Sequence, residues 1–188
     1  VGTVGSGERT ATVRTGRIYE ALMWGNFVHP PTVMARRSVL GEAGFGDPSL
    51  RFSSDYDLIL RMARVAPFAY LDAPLLRYRL SRGQMSHVNA GERMQLETVH
   101  ILERIVRDDP GVAARIQPVI RLRMAESYYH AADAIGNEDR RRALGLLVRA
   151  LKAKPIFGQA TRAFARIFVP AAIVPSIKRV LGAVSMRS

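Results

Sequence analysis

Residues 53–63 read SSDYDLILRMA, and the rest of the chain is understood from this stretch. Two serines precede Asp55 and Asp57, after which Leu58, Ile59, Met62 and Ala63 recur at helical spacing. Ser53 or Ser54 suits the N-cap of a helix that Pro67 stops, so both acids fall in its first turn. The partial positive charge of a helix N-terminus favours carboxylates there in their charged form. Such a carboxylate is placed to accept a proton. The plainer reading is that the two acids only cap the helix.

Upstream, residues 1–16 are rich in Thr and Gly and read as a short strand and a loop. A short helix is expected after Gly16, with Ile18, Leu22 and Met23 on its apolar side and Gly25 at its end. The paired Pro30 and Pro31 exclude helix, and a β-prone run is expected from Thr32 to Ala35. Ser38 then caps a brief helix that Gly44 closes. Downstream, FAYLD (68–72) and LLRYRL (75–80) read as strands divided at Pro74.

From Asn89, a plausible cap, the pattern is helical throughout. The first helix runs to Asp108, a second covers 111–135 with a kink at Pro118, and a third covers 138–153. Residues 123–155 resemble one tetratricopeptide-type helical hairpin, a unit that cannot bury its faces alone.

Composition sets the outer bounds. The 188 residues are 48% hydrophobic and include no cysteine, which excludes disulfides and thiolate metal sites. A reducing, cytoplasmic setting is the expectation, at the inner face of the cell membrane. The net charge is +12, but residues 140–188 hold 11 Lys or Arg and no acid, so the preceding part is nearly balanced. In residues 156–188, Phe and Ile alternate with basic residues without reaching the roughly 18 apolar residues of a membrane span. This basic amphipathic tail suits an anionic membrane surface better than specific nucleic-acid binding, for which zinc spacing and RNA-binding signatures are missing. The N-terminus lacks the pattern of a signal peptide. The chain opens on Val1, which suggests a fragment.

Three stretches combine into a recognisable order: GNFVHPPTVMARRSVLGEAGF, SSDYDLILRMARVAPFAYLDAPLLRYRL and GQMSH. Over about residues 17–87 they resemble the acceptor-side half of the family 2 glycosyltransferases, with the basic pair Arg36 and Arg37, the Asp55-Tyr56-Asp57-Leu58 motif through Arg61, and Asp72 to Arg79 in register. The resemblance implies an α/β fold: the acceptor-side half of an A-type glycosyltransferase at 1–88, with few short strands and helices. An all-α extension follows at 89–155, then the tail at 156–188.

It also implies inverting transfer of a sugar from a nucleotide-sugar donor to the hydroxyl of a glycan or lipid-linked acceptor. Asp55 matches the general base, and Asp57 and Arg61 its supports. Asn26, Arg36, Arg79, Gln84 and Ser86 match substrate-binding positions. A divalent cation, Mg or Mn, is expected in the complete enzyme with its main ligands outside this chain. Asp55-Tyr56-Asp57 is not read as a metal motif, because it leads into a helix rather than ending a strand. His87 is a weak metal candidate, and Ser81 stands where the family usually has a histidine. The nucleotide-binding half that should precede this segment is not in the sequence, and without it transfer is not expected. Trp24 is read as core, the other reading being a subsite platform on which a sugar packs. The alternative function is a non-enzymatic helical interaction or membrane-surface module.

Overall fold

The computed structural model describes residues 2–6, 9–79, 91–136, 138–155 and 158. The protein is mixed α/β and mostly helical, with a small antiparallel sheet among the described residues. Strands β1 (Gly2–Ser6) and β2 (Arg9–Gly16) form a hairpin in which Gly2 faces Val13 and Ser6 faces Arg9. The described residues 2–6 and 9–16 are thus two strands, where a strand and a loop were expected. β2 also pairs with β3 (Phe68–Asp72), Thr12 opposite Asp72 and Gly16 opposite Phe68.

Between β2 and β3 lie α1 (Tyr19–Leu22), α2 (Arg37–Ala43) and α3 (Ser54–Val65). The expected strand at Thr32 does not form. Pro30–Thr32 instead makes a 3-10 turn, which Thr32 closes with its N–H and hydroxyl, both donated to the His29 carbonyl at 3.0 and 2.8 Å. Ser38 lies inside the first turn of α2 and Arg36 holds the cap position without a side-chain bond. Gly44 ends α2 as expected, at φ +78°. A Cβ there would also stand 3.1 Å from the Arg61 guanidinium, so two constraints favour glycine. Residues 74–79, expected as strand, carry no regular structure; Leu75, Leu76 and Tyr78 are exposed, with no strand beside them among the described residues to complete a ladder.

The helices after β3 are α4 (Gly91–Asp108), α5 (Pro110–Arg115), α6 (Gln117–Ile135) and α7 (Arg140–Ala153). Pro118 does not kink a continuous helix. The break falls at Ile116, and the proline sits in the first turn of α6, where its missing N–H leaves nothing unpaired. Asp139 caps α7 by accepting from the Arg142 N–H at 2.9 Å. Asn89 and the segment 159–188 lie outside the described residues. No described helix is long and apolar enough to cross a membrane.

Two apolar cores hold these elements. The first joins Leu22 and Met23 with Tyr56, Ile59, Leu60, Met62 and Ala63 of α3, then continues into Ile101, Leu102 and Ile105 of α4 and Ile120 of α6. One core therefore spans both sides of position 88. The second gathers Val99 of α4, Tyr128, Tyr129 and Ala132 of α6, and Ala143, Leu146, Leu147 and Ala150 of α7. Fully buried alanines on both α6 and α7 let these helices approach closely. Met124 touches both cores and couples them.

Tyr56 shows how α3 is seated on α1. Its ring is buried and its hydroxyl donates to the Leu22 carbonyl at 2.7 Å. Burial pushes its pKa up to about 12. Tyr56→Phe leaves that carbonyl with the Gly25 N–H at 3.1 Å alone and removes the tie between α3 and α1, and a loss of about 1 kcal/mol in thermal unfolding is expected. An unchanged melting temperature would show that this bond does not hold the two helices.

Candidate active site

The two acids of the opening stretch occupy different environments although one residue separates them. Asp55, in the first turn of α3, is half-buried, and its Oδ1 accepts from the Tyr56 N–H at 2.7 Å. Asp57 is 1% exposed. Its Oδ2 takes the Arg61 guanidinium at 3.0 Å, and its Oδ1 meets the guanidinium of Arg104 from α4. Arg104 continues to Asp47 Oδ2 at 3.2 Å. Arg61 also donates to the carbonyls of Ala43 and Phe45, the latter at 2.7 Å. Asp57 and Arg61 are thus brought together, and with Arg104 they brace the end of α2, the 43–47 turn, α3 and α4.

The expected serine caps are replaced. Ser53 is the N-cap residue, but its side chain makes no cap bond and its hydroxyl donates to the Met94 carbonyl at 3.3 Å. The approach to the helix is held instead by Glu97 of α4, which accepts backbone N–H bonds from Arg51, Phe52 and Ser53 at 3.0, 2.8 and 2.9 Å. Arg93 adds a bond at 3.2 Å. Burial alone would raise the Glu97 pKa, but the N–H groups of Phe52, Arg51 and Ser53 outweigh it and hold the carboxyl below its ordinary 4.5.

A folded-state pKa below the unfolded value means that this stabilisation is complete above the unfolded pKa and is lost as pH falls through the folded one. Glu97→Gln turns an amide toward N–H donors, and a loss of about 2–3 kcal/mol is expected at neutral pH. Urea unfolding should show the gap between variant and wild type closing below the carboxylate range. A gap that stays constant with pH would mean that the charge of Glu97 is not what holds the loop.

Glu97 and Arg104 were not singled out from sequence. Their only signal is an acid and a base set into the mostly apolar inner stripe of α4, beside Ile101 and Ile105. Spacing along one helix cannot say which distant backbone they meet.

The other expected site residues are more dispersed. Asn26 is exposed and its Oδ1 accepts from the Val28 N–H at 3.1 Å, closing a turn just after α1. Arg36 is exposed at the start of α2, and Arg79 is exposed beyond β3. Gln84, Ser86 and His87 lie outside the described residues. Trp24 is 62% exposed, which corrects its assignment to the core. Two open grooves of about 440 and 460 Å³ flank α4; neither is lined by Asp55, Asn26 or Arg36.

Asp57 does not suit a cation, because both its oxygens already face guanidinium groups. Among the described residues no group of three acidic or histidine side chains converges as a metal site. Comparisons with family models, with curated proteins and with solved structures found no match.

Proposed function

We propose that this chain is the acceptor-side portion of an inverting, nucleotide-sugar-dependent glycosyltransferase of the family 2 type. The observation that carries the reading is the division of labour between Asp55 and Asp57. One carboxylate is half-buried in the first helical turn, while the other is buried and doubly paired beneath it. A general base must reach solvent-borne substrate and stay put. The Asp57, Arg61 and Arg104 brace supplies the rigidity and leaves Asp55 to meet the acceptor.

In the proposed step, Asp55 takes the proton of the acceptor hydroxyl as that oxygen bonds to the anomeric carbon. The bond from that carbon to the donor phosphate breaks on the opposite face, and the nucleoside diphosphate departs. A divalent cation would neutralise the leaving diphosphate, held by residues of the donor-side half. Asn26, Arg36 and Arg79 are proposed to line the substrate side, with Gln84 and Ser86 in the loop after them.

The test is sugar transfer by this chain joined to a nucleotide-binding, donor-side half, with Asp55→Asn as the variant. Lost transfer with donor binding kept supports the assignment; normal transfer by the variant sinks it. A second reading, a helical docking module without catalysis, draws on one observation: the outward face of α7 leaves Leu144, Val148 and Leu151 exposed.

A further inference from the structure

Helix α7 buries Ala143, Leu146, Leu147 and Ala150 against α6 and turns a second apolar row to solvent. Leu144, Val148 and Leu151 are 45%, 44% and 38% exposed, at the i, i+4 and i+7 spacing of one helix face. Basic residues flank this row. Arg140 and Arg141 precede Leu144 by four and three positions, Lys152 follows Val148 by four, and all three are exposed. No acid occurs anywhere in residues 140–188.

We infer that this face of α7 docks on an anionic lipid bilayer. The inference rests on α7 alone and not on the glycosyltransferase reading. Two copies meeting here would set Arg140, Arg141 and Lys152 against their own images. A nucleic acid would match the charges and leave the leucines wet. An anionic membrane surface accommodates both, the headgroups pairing with the cations while the apolar row enters the acyl boundary.

The experiment is sedimentation of the full chain with phosphatidylcholine vesicles, with and without phosphatidylglycerol. Wild type is expected to pellet with the anionic vesicles only. Arg141→Gln/Lys152→Gln should weaken binding by about 25-fold at low salt, near fivefold per charge. Leu144→Ser/Val148→Ser/Leu151→Ser should weaken it roughly tenfold or more while the charges remain. All five side chains are exposed, so melting temperatures should hold, and the charge variant stands as a test even if the apolar one misfolds. Wild-type binding by both variants overturns the inference, because binding would then reside elsewhere in the chain. So does a dimer in light scattering that the serine variant splits, or duplex DNA stripping wild type from the vesicles. None of these outcomes depends on sugar transfer.

Discussion

Asp57→Ala is expected to cost about 3–5 kcal/mol of folding free energy, the range for removing one member of a buried ion pair. At this chain length, that corresponds to a fall of roughly 10 °C in melting temperature. The reason is what remains behind. The Arg61 and Arg104 side chains, 27% and 22% exposed, lose the carboxylate between them. Arg61 keeps the carbonyls of Ala43 and Phe45, and Arg104 keeps Asp47, so Arg104 bears the larger deficit because its remaining bond is the single 3.2 Å contact. Asp57→Ala/Arg104→Met should therefore recover part of the loss, a coupling that a double-mutant cycle measures. Calorimetry of wild type, Asp57→Ala, Arg104→Met and the double variant closes the cycle. A loss below about 1 kcal/mol for Asp57→Ala would remove the brace from the account of the site.

Asp55→Asn should behave in the opposite way. Asparagine keeps an oxygen to accept the Tyr56 N–H, so the first turn of α3 is undisturbed and stability should move by no more than about 0.5 kcal/mol. What disappears is the capacity to take a proton. If Asp55 is the proposed base, kcat of the chain joined to a donor-side half should fall by about 10²–10⁴, the usual worth of a positioned general base, with KM little changed. Residual transfer within tenfold of wild type would assign the proton to another group. On the proposed roles the pair of variants should separate the two acids, one by a stability defect and the other by a rate defect.

Much of this arrangement was legible in local pattern. The period of Leu58, Ile59, Met62 and Ala63 placed α3, and helical spacing set Asp57 and Arg61 one turn apart, where they pair. The brief helix ended by Gly44 was readable because a positive φ has few acceptable residues. The misreadings share a cause. LLRYRL is β-prone, but a strand also needs a neighbour, and residues 74–79 have none among those described. Pro118 signalled a disruption, but the same residue suits a helix start, and only the backbone at Ile116 decides between them. Ser53 was the conventional cap, yet a carboxylate from 44 positions away took over the neighbouring N–H groups. Local rules name a need for a partner; they do not say which distant side chain meets it.

The reach of Glu97 across to residues 51–53 bears on how the molecule can be cut and recombined. A graft that moved only residues 17–87 into another scaffold would carry the acidic motif without the hand that holds its entrance, and without Arg104 beneath it. The smallest transplantable unit includes α4, whatever chemistry the recipient performs.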